Sequence, residues 1–171
     1  MQLDAKIRTA SESDVDKLIA YVTELRAERL PTIFRYDSIP TPEEEVDFLR
    51  QFAGDSAHFF VAEIHDRIIG NLGIATYPHP QTAHRANLGM SILAPFRGRG
   101  IGSKLLSAAV HWCESRSLRR LELEVLSNNP RAQRLYERHG FAVEGRREAA
   151  IAVDGAFVDL ILMARKIAPA G

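Results

Sequence analysis

One cysteine in 171 residues leaves Cys113 without an intrachain partner, so no internal disulfide is expected and a reducing compartment, the cytoplasm, is the expected setting. Net charge is missing too. The 22 Lys and Arg residues balance 22 Asp and Glu, which removes any global electrostatic drive toward nucleic acid or an anionic membrane. No apolar run approaches the roughly 20 residues of a membrane-spanning helix, and Met1-Gln2-Leu3-Asp4-Ala5-Lys6 has no signal-peptide character. Metal-ligand clusters are lacking: His79 and His84 share a loop segment with neither Cys nor acid at ligand spacing, so no metal is expected. Without repeats, low-complexity tracts or linkers, the chain reads as a single domain, 1–171, with one core.

What is present alternates between two periods. Lys6 to Thr9 reads as a short strand. Ser11, Ser13, Asp14 and Asp16 supply capping oxygens ahead of an amphipathic helix whose apolar face is Val15, Leu18, Ile19, Val22 and Leu25. Pro31 ends that element, and residues 31 to 40 read as irregular. Thr41-Pro42 then makes an N-cap and first helical position, followed by Glu43, Glu44 and Glu45 at the positive end of the helix dipole. Two β-rich runs, 58–64 and 67–75, flank His65-Asp66 as a tight hairpin, and a loop from Thr76 to His84 leads to a buried strand over 88–93. A helix over 101–115 carries Ile101, Leu105, Leu106, Ala109, Trp112 and Cys113 on one side. The alternating strand 120–125 follows. Pro130 opens a last helix capped by Asn129 and stopped at Gly140, and the chain closes with a hairpin of 141–153 and 156–165 turning at Asp154-Gly155. The order βααβββαβαββ mixes hairpins with helical crossovers, which predicts one α/β (α+β) sheet with helices on both faces.

Chemistry concentrates at the turn between the 88–93 strand and the 101–115 helix. Pro95 halts the strand, and Gly98, Gly100 and Gly102 follow within five residues, beside Arg97 and Arg99. Glycines at such a turn let backbone N–H groups converge on an anion, and the first turn of a helix adds partial positive charge. By itself the pattern also suits an ordinary glycine-rich connection with solvated arginines. It is not the nucleoside-triphosphate loop, because Gly102 is followed by Ser103-Lys104. The dinucleotide fingerprint G-x-G-x-x-G is missed by its spacing, although Glu122 and Glu124 lie about where a ribose-binding acid would fall.

Arg97-x-x-Gly100-x-Gly102 resembles the acyl-CoA signature Gln/Arg-x-x-Gly-x-Gly/Ala of the GNAT superfamily of N-acetyltransferases. A second stretch, Asn129-x-x-Ala132-x-x-Leu135-Tyr136-x-x-x-Gly140-Phe141, is similar to that family's Asn-x-x-Ala-x-x-Leu-Tyr-x-x-x-Gly-Phe segment. Both stand in the family's order, separated by a helix and a strand, and the likeness covers nearly the whole chain, weakest over 26–57. It implies a mixed, mostly antiparallel sheet of about seven strands, splayed at its middle. The implied activity is acetyl transfer from acetyl-CoA, as cosubstrate, to a primary amine on a small molecule or a protein N-terminus.

That chemistry requires a base for the amine, a donor for the oxyanion and a proton for the departing thiolate. By spacing alone Tyr136 is a core aromatic beside Ala132 and Leu135; the resemblance makes it the general acid. Glu124, at the end of its strand, is the candidate base, directly or through a water, though a solvated role shared with Glu122 fits the period of two equally well. The resemblance assigns coenzyme A contacts to Met90 and Ile92 through their backbone, to Arg97, Gly98, Arg99, Gly100, Ile101 and Gly102 around the phosphates, and to Asn129. Cys113 reads as a buried face residue, which predicts direct transfer without an acyl-enzyme. The competing reading is a non-catalytic acyl-CoA sensor on the same fold, against which the intact Tyr136 and Asn129 count. The acceptor is expected to be shaped by 26–52 and 153–157. Arg29 and Arg35 would suit a carboxylate, the glutamates a polyamine, and Phe34 and Tyr36 stand nearby; the sequence does not choose. A homodimer, common in the family, is compatible with everything here.

Overall fold

The structure, a computed structural model, describes residues 4–28, 38–153 and 155–168. Pro31, Phe34, Arg35, Tyr36 and the turn residue Asp154 lie outside them, so the readings placed on those residues are not addressed. Seven strands, β1 (Lys6–Thr9), β2 (Ala57–Ile64), β3 (Arg67–Thr76), β4 (Arg85–Ile92), β5 (Arg120–Leu126), β6 (Ala142–Val153) and β7 (Ala156–Lys166), form one sheet in the order β1-β2-β3-β4-β5-β7-β6. Four helices, α1 (Val15–Ala27), α2 (Pro42–Arg50), α3 (Ile101–Ser115) and α4 (Pro130–Arg138), complete the predicted βααβββαβαββ order. None of the described helices is long and apolar enough to cross a membrane.

Local chemistry accounts for the boundaries. Thr41 closes a capping box with Glu44, its hydroxyl accepting from the Glu44 N–H at 3.3 Å while the Glu44 carboxylate accepts from the Thr41 N–H at 2.8 Å. His65 and Asp66 both adopt positive φ, the two-residue turn that matches the twist of β2 and β3. Strand β4 begins three residues earlier than its apolar run, because Arg85, Ala86 and Asn87 pair with β3 and β5. Their polarity hid them from a periodicity argument.

Every sheet pairing is antiparallel except β4 with β5, and that ladder is short. Its register runs Arg85↔Arg120, Ala86↔Leu121, Asn87↔Glu122 and stops. Beyond it the strands part.

Two apolar clusters cover the two faces. The first packs α3 and Tyr136 against Leu72, Ile74, Leu88, Leu121 and Leu123; the second packs α1 and α2 against Phe59, Val61, Ile68 and Leu93. At about 25 cal/mol per Å², each fully buried Leu or Ile contributes roughly 1.5–3 kcal/mol. Leu18, Ile69, Leu72, Leu105, Leu106 and Leu121 are all at most 1% exposed.

Candidate active site

The parting of β4 from β5 makes the site. In β4 the N–H of Leu93 bonds the Ile69 carbonyl and the Tyr77 N–H bonds the Arg85 carbonyl, so the odd-numbered residues point their backbone groups at β3. Leu88, Met90 and Ile92 therefore turn theirs toward β5. With β5 gone past Asn87, those groups line a slit. A cavity of about 690 Å³ runs through it, bounded by Met90, Ile92, the glycine turn, Leu135 and Tyr136 on the α3/α4 face, and by Asn71, Ser91, Glu124 and the Phe48/Phe52/Phe59 cluster on the α1/α2 face.

On the first face, Gly98 and Gly100 hold φ of +76° and +84°, left-handed values at which an L side chain is strained. Gly100 is the residue before α3; its carbonyl accepts the Lys104 N–H at 3.1 Å, leaving the amides of Ile101, Gly102 and Ser103 without intrahelical partners. Gly100, Gly102 and Ser103 line the cavity. Gly102 is fully buried beneath Leu135, whose Cδ2 stands 2.7 Å from where a Cβ would project, so α3 and α4 meet there without room for a side chain.

The arginines sort into two kinds. Arg97 donates from Nε to the Ile92 carbonyl at 2.7 Å and pairs with Glu28, which also accepts the Ala94 N–H at 2.6 Å. Its charge is thereby spent on bracing the turn that follows β4. Arg99 is exposed and, among the described residues, has no acidic partner. The same is true of Arg131, which sequence reasoning passed over: its guanidinium lies where a Cβ on Gly98 would be, across the mouth of the glycine turn. Its position two residues after Asn129, within the Asn-to-Phe stretch, was the available signal.

Asn129 uses its side-chain oxygen to cap α4, accepting the Ala132 N–H at 3.1 Å. Tyr136, on the next turn, is buried among the α3-side cluster and meets Phe141 edge-on at 5.8 Å. Its hydroxyl lacks a hydrogen-bond partner among the described residues, and burial pushes the phenol up to about 12. It is a proton carrier at neutral pH. Burial likewise raises the Cys113 thiol to about 12, which leaves it inert.

On the second face the alternation of β5 buries Leu121, Leu123 and Val125 toward α3 and sends Glu122 and Glu124 the other way. Their environments differ. Glu122 is taken up by the Tyr77 hydroxyl at 2.9 Å, by Arg85 at 3.1 Å and by Arg120. Burial raises its carboxyl, but the hydrogen bonds from Arg120 and Tyr77, with the charge of Arg85, hold it below the usual range. It has no oxygen to spare for a ribose. Glu124 borders the cavity, half-buried, with Arg147 of β6 donating to Oε1 at 2.6 Å. On the same cavity wall a half-buried relay runs from the Tyr21 hydroxyl to Ser91 Oγ at 2.7 Å and on to Asn71 Oδ1 at 3.0 Å. Among the described residues no group of three or more His, Cys, Asp or Glu is arranged to hold a metal.

A backbone slit thus leads from the glycine turn to the buried phenol. The chain belongs to the acetyltransferase (GNAT) family, whose family model matches residues 19–141. It is 30% identical over 106 residues to an L-amino acid N-acetyltransferase of Escherichia coli K12, a match spanning 61% of this chain and 65%, under two thirds, of that enzyme. Among solved structures, a GNAT-family acetyltransferase from Streptococcus pneumoniae superposes with a TM-score of 0.89 at 30% identity, covering 96% of this chain and 100% of the other. A phosphinothricin acetyltransferase from Sinorhizobium meliloti in complex with acetyl-CoA shares the fold, with a TM-score of 0.84 at 20% identity over 96% of this chain and 89% of that one.

Proposed function

We propose that this protein transfers the acetyl group of acetyl-CoA to the primary amine of a small amino-acid-like acceptor, by direct attack in a ternary complex. The observation that carries the reading is the single cavity that crosses the sheet, with the glycine turn and Tyr136 on one face and Glu124 on the other. Acetyl-CoA supplies an activated acyl group and a thiol leaving group; the residues of the chain do the rest. The free amides at 101–103 and the glycine turn fit a diphosphate, with Arg99 and Arg131 adding charge from either side. Arg97 contributes by bracing Ile92. Met90 and the Ile92 N–H fit an amide-rich arm laid along β4, in the manner of an added strand, and one of these N–H groups receives the oxyanion.

Glu124, directly or through a water, takes the proton from the attacking amine. Tyr136 then delivers its proton to the departing sulfur, a task for which a phenol neutral at pH 7 is suited. The buried Cys113 supports transfer without an acyl-enzyme. The names of the amino-acid and phosphinothricin acetyltransferases support the acceptor class. A non-catalytic acyl-CoA sensor would have no use for an unpartnered phenol in the cavity. A cytoplasmic setting accords with the lone cysteine, and a homodimer with the family's habit.

Thiol release on mixing the protein with acetyl-CoA and a panel of amino acids and related amines tests the proposal. Tyr136→Phe is expected to lower kcat about 100-fold or more while coenzyme A affinity stays within about two-fold. Undiminished kcat removes Tyr136 from the reaction. Tight coenzyme A binding without thiol release for any amine selects the sensor.

A further inference from the structure

Two ion pairs have a member on the cavity wall among the described residues: Arg97 with Glu28, which braces the glycine turn, and Glu124 with Arg147. Of the described arginines near Glu124 on the acceptor face, Arg85 and Arg120 close on Glu122. Arg147 has one partner, at 2.6 Å, and is 57% exposed; Glu124 is 32% exposed. An ion pair this accessible to water is worth little on its own. It is therefore easily exchanged for a pair with something else.

An α-amino acid is itself an opposite-charge pair, an ammonium and a carboxylate joined through one carbon. Glu124 and Arg147 present the complementary charges side by side. Resting on the acetyl-transfer reading above, we infer that Arg147 is the specificity residue that binds the acceptor's carboxylate. On entry of the acceptor, Arg147 leaves Glu124 for the carboxylate, where its planar fork makes two charge-assisted hydrogen bonds. Both Glu124 oxygens then face the ammonium that must lose a proton. The exchange keeps the site charge-balanced whether empty or filled, and an amine without a carboxylate leaves Arg147 on Glu124. The Phe48/Phe52/Phe59 cluster, with ring centres 4.9–5.1 Å apart, lines the same face and suits an apolar acceptor side chain.

Pairing through β7 sets Arg147 on the face of Glu124, with Arg147 opposite Leu160 and Glu124 opposite Leu162. The ladder of β6 with β7 passes from Arg147↔Leu160 to Ile151↔Val158, so that residues 148–150 stand against Asp159 alone. That bulge follows Arg147 directly and is fastened by the Ala149 N–H donating to Asp159 Oδ1 at 2.7 Å.

The test compares a free amino acid with its decarboxylated amine and its carboxamide, in the wild type and in Arg147→Ala and Arg147→Lys. Arg147→Ala is expected to raise KM for the free acid at least ten-fold more than it raises KM for the amine or carboxamide, kcat for the latter two being free to change as Glu124 loses its partner; Arg147→Lys recovers part of the loss for the acid. Equal changes for all three compounds, or none, overturn the inference. Calorimetric titration of the coenzyme A-loaded wild type with acid and amine reads Arg147 without turnover: tighter binding of the acid, abolished in Arg147→Ala, supports the inference, and equal affinities overturn it. Absence of thiol release with every compound overturns the transfer reading separately.

Discussion

A left-handed backbone is a local demand with a local remedy, and Gly100 is where this site makes it. At φ +84°, any Cβ strains the residue that opens α3 and displaces the amides at 101–103. Gly100→Val is expected to weaken coenzyme A binding at least ten-fold, read by calorimetry, with a small change in thermal midpoint because Gly100 is a turn residue at the surface of the cavity. Retained affinity would mean that the phosphates bind elsewhere. Gly102 carries a different constraint: a Cβ there would stand 2.7 Å from Leu135 Cδ2, so a substitution would make the Leu135 side chain give way. The two glycines sit two residues apart for unlike reasons, and only the first is a matter of backbone shape.

At the scale of elements the closing hairpin is the informative one. Asp159 accepts from Ala149 and from Arg146, and the hydrogen bond from the Ala149 N–H, followed by that from Arg146, keeps its carboxyl below the ordinary range. Asp159→Ala is expected to speed amide exchange at Ala149 and to raise KM for a free amino acid by a smaller factor than Arg147→Ala does. Unchanged exchange would show that the bulge holds itself. The elements themselves were legible in the sequence, since Ile101, Leu105, Ala109 and Trp112 recur at helical spacing and Leu121, Leu123 and Val125 alternate. Pairing across the fold was not. Arg147 lies 23 residues from Glu124, and nothing local in either strand says that pairing through β7 will set them side by side. Arg97 read as a phosphate ligand because its neighbours are glycines, whereas Glu28, 69 residues away, claims its guanidinium. Asn129 was legible as a cap because capping is a matter of the next three residues, and its oxygen accepts the Ala132 N–H. The β4 boundary was missed because Arg85 and Asn87 owe their place to neighbouring strands rather than to their own polarity.

For the molecule as a whole, the join between α1 and the sheet edge is electrostatic. Asp14, buried at 3% exposure before α1, receives two 2.7 Å hydrogen bonds from Arg8 of β1, which also pairs with Glu63 of β2. Arg8 and the Ser11 N–H hold the Asp14 carboxyl down at about 2, against an ordinary 3.8, despite its burial. A depressed carboxyl stabilises the fold above its unfolded-state value, so this contribution, about 2 kcal/mol, is intact at neutral pH and is lost as the pH falls from about 4 toward 2. Urea denaturation at pH 7 and pH 3 should register part of that loss, and Asp14→Asn should show a smaller difference between the two. An equal pH dependence in the variant would assign the acid sensitivity to other carboxylates.

The two apolar clusters are kept apart by the sheet and have only Phe96 packed against both. That separation makes the protein a chassis with an interchangeable front. The Phe48/Phe52/Phe59 cluster can change toward a new amine without touching the glycine turn, whereas Glu28, which holds Arg97, and Glu124 cannot drift so freely. Diversification of acceptors on an unaltered coenzyme grip is the evolutionary freedom that such a divided interior confers.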